Sequence, residues 1–170
     1  MNNIVSIFDV LSLQEISDRL EIHEILARYS DALDRRDWDA IRRVFTPDAL
    51  IDYTEMGGVR GGINEVIDFL QSAMGIFSGY QHLISNVIMD IDGDTASVRS
   101  ICHNPMLLSP QAGKSSVMVC GLWYRDRLVR SHNGWLILER YEEKCYMGEF
   151  RAIDFGTAGT AGTAGGNGQP

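Results

Sequence analysis

YSDALDRRDWDAIRRVFTPDALIDY, residues 29–53, holds the end of one helix, the whole of a second and the first strand. Upstream of it, Ile22, Ile25, Leu26, Tyr29 and Leu33 recur at helical spacing and form one apolar stripe. The spacing predicts a helix from Ser12 or Gln14 to Arg36. Asp37 is placed to cap a second short helix that carries Trp38, Ile41, Val44 and Phe45. Thr46-Pro47-Asp48 is expected to stop it, because a residue before proline leaves the helical region. Residues 49–54 then read as a strand.

Outward from this stretch, Gly57-Gly58 and Gly61-Gly62 bracket a loop, and residues 64–74 read as a third helix with Val66, Ile67 and Leu70 inward. From there the pattern turns to β. Residues 81–91, 95–107, 115–129 and 135–147 read as strands. Asp92-Gly93-Asp94 and Asn133-Gly134 supply turns, and residues 109–113 a loop. Helices first and antiparallel strands second is the α+β pattern. Long bent strands cupped over helices make a cone-shaped barrel with an interior pocket, a common ligand-site geometry. Residues 1–154 read as one domain. The tail, residues 155–170, has almost no large apolar side chain after Phe155, cannot offset its ordering entropy and is expected to be disordered.

Composition narrows the function. The 170 residues are 45% hydrophobic and 22% charged, an ordinary globular mix. A formal charge of −8 repels phosphate backbones, so nucleic acid is not an expected partner. No apolar run is long enough to cross a bilayer. The N-terminus lacks a basic region and Asp9 interrupts its apolar residues, so no signal peptide is expected and a cytoplasmic location is. Cys102, Cys120 and Cys145 are odd in number and set among apolar residues, which suits buried reduced thiols. No metal-ligand spacing and no glycine-rich phosphate loop is present, so neither metal nor other cofactor is expected.

Two residues stand out. Asp34 lies at the margin of the helix stripe and at the unfavourable end of the helix dipole, with no evident structural task. His82 enters a β stretch in which strict alternation puts His82, Ile84, Asn86 and Ile88 on one face. Pattern alone leaves Asp34 readable as a solvated helix-end acid and His82 as a hydrogen-bonded core histidine. Tyr29 and Tyr53 could each present a phenol to a ligand oxygen or be core aromatics. His103, beside Asn104-Pro105, is a second pocket histidine if its strand parity allows. Cys120 shares a face with Met118 and reads as a lining residue.

Taken together, these segments resemble the SnoaL-like and scytalone dehydratase-like family of the nuclear transport factor 2-like superfamily. LDxRDWD with its F-x-x-D-A turn, GYQHLISN, and the hairpin GLWYRDRLVRSHNGWLILERY carry the resemblance, which spans residues 13–150. It also extends to bile-acid 7α-dehydratase and hexachlorocyclohexane dehydrochlorinase. The resemblance implies a cofactor-independent lyase, a homotrimer, with Asp34 and His82 as its acid–base dyad and Tyr53 and Tyr29 as its phenols. It departs from scytalone dehydratase at Leu33, Met118 and Cys120, where that enzyme has polar groups. His103 aligns with a second histidine only across a gap. Those departures make the implied pocket more apolar and its ligand a small hydrophobic ring compound. The runner-up readings are an isomerase or cyclase using the same dyad, or a non-catalytic ligand-binding or dioxygenase small-subunit role.

Overall fold

A computed structural model describes residues 10–108 and 116–151; the tail, the loop at 109–113 and the N-terminal nine residues lie outside them. Helix α1 (Leu13–Asp34) starts at Ser12, whose hydroxyl accepts from Glu15 N while Glu15 accepts from Ser12 N, a reciprocal capping box. Its stripe of Ile22, Ile25, Leu26, Tyr29 and Leu33 is buried as the spacing predicts. The helix ends where Arg36 takes a left-handed conformation, φ 58°, and Asp37 N donates back to Ala32 O at 2.8 Å. A non-glycine residue pays about 1–2 kcal/mol for that conformation. Three side-chain bonds of Arg36 offset it, to Tyr80 OH (2.7 Å) and to the carbonyls of Met74 and Phe77 (3.1 Å each).

Asp37 caps α2 (Trp38–Val44) through Ala40 N. Strand β1 (Phe45–Asp52) follows at once. Thr46-Pro47-Asp48 does not separate the two elements, as expected from sequence, but lies inside the strand. The proline is tolerated because the β1 pairing shifts register between Phe45 and Leu50, where no ladder N–H is required. Then come β2 (Arg60–Gly61), α3 (Ile63–Ala73), β3 (Phe77–Tyr80), β4 (Leu83–Asp92), β5 (Thr95–Leu108), β6 (Ser116–Ser131) and β7 (Gly134–Arg151). They form one sheet in the order β2-β1-β7-β6-β5-β3, with β4 also paired to β5. All pairings are antiparallel except β1 with β7, which is parallel. The sheet curls around α1 and α3, giving the α+β cone.

The edge of β5 is shared. Its C-terminal end pairs with β3 and the rest with β4, so the chain breaks between Tyr80 and Leu83. His82 sits in that break, just before β4 rather than within it. Alternation along β4 also fails. A bulge between Ser85 and Ile88, with Asn86 at φ 48°, turns Asn86 and Ile88 outward and Val87 and Met89 inward. Of the three thiols expected to be buried, Cys102 and Cys120 are, while Cys145 is exposed on β7.

At the far end from this break, α1 is clamped to the β6–β7 hairpin. Asp18, 2% exposed, accepts from Arg130 Nη1 and Nη2 (2.7 and 2.8 Å), Trp135 Nε1 (3.1 Å) and Gln14 Nε2 (3.0 Å). The Arg130 bonds hold its carboxyl well below the usual carboxylate range, outweighing the opposing effect of burial. A folded-state value depressed below the unfolded one means the clamp contributes fully above about pH 4 and fades as pH falls further. Asp18→Asn is therefore expected to lower stability by about 1.5–3 kcal/mol at pH 7. The deficit relative to wild type should shrink in urea unfolding curves taken toward pH 2.

Candidate active site

The pocket lies between α1, α3 and the concave face of the sheet, with about 640 Å³ of empty space including its mouth. Its walls are mostly Met, Leu and Phe side chains. Its polar groups are few: His82, Asn104, Tyr29, Tyr53, Tyr124 and Glu142.

Asp34 closes α1 and turns toward the β3–β4 break. Its Oδ1 lies 2.7 Å from His82 Nδ1, and its two oxygens accept from the His82 backbone N–H at 3.2 and 3.1 Å. Because His82 is outside the ladder, its N–H needs an acceptor, and Asp34 supplies it. Asp34 thus has a structural task that its helix position did not reveal. A carboxylate only accepts, so Nδ1 carries the hydrogen and Nε2 presents a lone pair. That lone pair faces Asn104, whose Nδ2 donates to it at 2.8 Å. Asn104 is 6% exposed, and its Oδ1 has no partner among the described residues. The imidazole side chain is 5% exposed. Tyr80 packs edge-on against it at 6.0 Å between ring centroids, and Arg36 holds Tyr80 in turn.

Tyr29 and Tyr53 share a hydrogen bond of 2.6 Å between their hydroxyls, both buried. Burial pushes Tyr29 up to about 12 and Tyr53 well above its ordinary value, so both stay protonated across the working range. One hydroxyl donates to the other, which leaves one phenolic hydrogen to offer. Leu33, Met118 and Cys120 line the pocket. His103 does not. It points outward from β5, exposed, and meets Tyr146 OH at 2.9 Å. Pro105 causes no bulge there: β5 and β6 pair without a break from Thr95 to Leu107, so His103 and Asn104 take opposite faces.

Beneath the phenols lies a buried ion pair. Arg140 donates to both Asp126 oxygens at 2.8 and 2.7 Å, and both side chains are 0% exposed. The guanidinium lies 4.2 Å from the Tyr29 ring centroid and 4.0 Å from that of Tyr124.

Asn104 and Glu142 are pocket residues that sequence reading missed. For Asn104 the signal was there, since it alternates with Cys102 and Met106. For Glu142 it was not. Counting from Trp135 and Ile137 puts odd residues inward, but a bulge after Ile137 reverses this and turns Arg140 and Glu142 inside. A second irregularity near Cys145 restores the original parity, so Met147 also reaches the pocket.

The sheet curled around an opening helix is the fold the chain shares with solved nuclear transport factor 2-like proteins. Within it, residues 14–141 match the SnoaL-like domain, and the chain belongs to that family. An uncharacterized protein of Mycobacterium tuberculosis is 47% identical over 137 residues, covering 81% of this chain and 92% of that one. Among solved structures, the Kfla4162 protein of Kribbella flavida superposes with a TM-score of 0.70 at 24% identity, over 79% of this chain and 95% of that one. A candidate scytalone dehydratase of Novosphingobium aromaticivorans gives 0.70 at 17%, over 82% and 91%. A hexachlorocyclohexane dehydrochlorinase, LinA type 2, gives 0.72 at 15%, over 87% and 99%. At these identities the structural likenesses speak for the fold alone. No helix among the described residues is long and apolar enough to cross a membrane.

Proposed function

We infer that the protein is a lyase, a dehydratase that removes water from a hydrophobic cyclic hydroxy-carbonyl compound by acid–base catalysis at His82. The observation that carries this reading is the 2.7 Å contact of Asp34 with His82 Nδ1, which leaves Nε2 as a base inside a largely apolar pocket. Asp34 fixes the tautomer and stabilises the imidazolium once it forms. His82 Nε2, once the Asn104 amide that donates to it at 2.8 Å turns away, takes a proton from the carbon next to the substrate carbonyl. The electron pair of that bond flows toward the carbonyl oxygen, where Tyr53, held by Tyr29, offers its hydrogen. When the carbonyl re-forms, the neighbouring hydroxyl departs with the proton from His82, as water. These steps call on no metal or organic cofactor. The lyase names of two structural neighbours, the dehydratase candidate and LinA, agree with elimination. Without a leaving group, the same dyad would move a double bond instead. As in the resembling enzymes, the working assembly is read as a trimer in the cytoplasm.

The test is wild type against Asp34→Asn on a panel of β-hydroxy ketones with fused or terpenoid rings, followed by mass loss of 18 and by ultraviolet absorption of the new enone. Wild type should lose water, and Asp34→Asn should do so at least about 100-fold more slowly. A double-bond shift without water loss would make the protein an isomerase. No turnover of any panel member would favour a binding role.

A further inference from the structure

Among the described residues Glu142 is the pocket's one acidic side chain, and the chemistry above does not use it. It enters from β7, directly across from Tyr124 of β6, and its carboxyl makes no hydrogen bond to any described residue. Its charge is felt by Tyr29, Tyr53 and Tyr124, so it stands at the phenol end of the pocket. Titratable neighbours face it from four sides. Arg140 of its own strand favours the charged form; Asp126 holds its Nε and Nη2, and its Nη1 has no partner among the described residues. Asp52 of β1 opposes the charged form, and Cys102 of β5 and Cys120 of β6 offer only buried thiols. From α3, Phe69, Leu70 and Ala73 line the same pocket. Burial dominates this balance and pushes the Glu142 carboxyl up to about 8. The raised value leaves a neutral, hydrogen-donating form of this half-buried carboxyl present near pH 7.

We propose that Glu142 is a second acid–base group of this pocket, donating its proton to the carbonyl oxygen of a neutral cyclic ketone. The assignment rests on the carbonyl-ligand reading above and names the ligand class: an uncharged ketone rather than a carboxylate. In the reaction, His82 takes the α-proton as Glu142 gives its proton to the carbonyl oxygen, and an enol forms. On collapse the enol returns its proton to Glu142, the carbonyl re-forms, and the β-hydroxyl leaves with the proton from His82 as water. Both groups end as they began, and no other reactant is consumed.

Binding tests this without turnover. The probe is 2-acetonaphthone, with naphthalene as its carbonyl-free control, titrated by fluorescence against the full chain from pH 6 to 10. At pH 6 wild type should prefer the ketone by about tenfold, near the limit of one neutral hydrogen bond. That preference should fall as pH rises through about 8, whereas naphthalene binding stays flat. Tyr29 and Cys102, pushed to about 12, do not titrate in this range. Glu142→Gln keeps a donor and should keep the preference to pH 10, and Glu142→Leu should show at every pH only the residual preference that wild type has at pH 10, which Tyr53 supplies. Naphthalene binding by each variant reports an intact pocket. A wild-type preference that is absent at pH 6 or unchanged to pH 10 overturns the assignment, as does a Glu142→Leu preference equal to wild type at pH 6. The same titration in His82→Ala separates the two readings, because an inactive dyad leaves the ketone preference in place.

Discussion

Replacing His82 by alanine should slow water loss by about 10²–10⁴-fold, the usual worth of a positioned general base. The side chain is almost fully enclosed, makes one contact to Asp34 at 2.7 Å and one to Asn104 at 2.8 Å, and faces the cavity. Stability should change much less than activity. The Asp34 bonds to the residue 82 backbone survive the substitution, so the β3–β4 break stays tied to α1. His82→Ala and Asp34→Asn should differ in this respect, because only the second weakens that backbone tether. A thermal melt beside the rate measurement separates the effects. A His82→Ala protein that melts like wild type and turns over at wild-type rate would remove His82 from the chemistry.

The largest stability effect should come from Asp126→Ala. Asp126 and Arg140 are wholly enclosed, and the guanidinium is wedged between the rings of Tyr29 and Tyr124. Removing the carboxylate strands a positive charge with no water to reach it, at a cost of about 3–5 kcal/mol. Against a typical stability of about 5–15 kcal/mol, that is a large share. Urea unfolding of the variant gives the number directly, and a loss below about 1 kcal/mol would contradict it. Asp126→Leu with Arg140→Met should recover most of the loss, since a buried pair is often no better than apolar side chains of similar volume. The tyrosine pair of the pocket would then lose the cation beneath Tyr29 while the fold remained.

Much of the fold was legible because local rules and tertiary packing agree. The Ile22-to-Leu33 stripe, the Asp37 cap and the Asn133-Gly134 turn each report one element without outside help. The dyad was legible only through resemblance: nothing in the periodicity of α1 says that its last residue meets a histidine 48 positions later. What stayed hidden depends on bulges. Asn86, Ile88 and Glu142 all lie past points where an extra residue shifts the ladder and exchanges the faces of a strand. Such a shift leaves no trace in the alternation of a sequence as polar as Tyr141-Glu142-Glu143-Lys144. The facing of His103 was open in the sequence because a proline two residues on can mark a bulge; the strand runs straight there and turns His103 outward.

The unpartnered Oδ1 of Asn104 bears on how the site meets a change of charge. With a neutral imidazole, the amide hydrogen of Asn104 fills the Nε2 lone pair. With a protonated one, Nε2–H needs an acceptor, and the idle oxygen of the same amide is half a turn away. Rotation about one side-chain bond exchanges the two. The pocket can therefore follow its base through both charge states with little reorganisation: no water has to be admitted and no backbone has to move. An aspartate at 104 would satisfy only the protonated imidazole and a leucine neither form, whereas the asparagine amide can serve both.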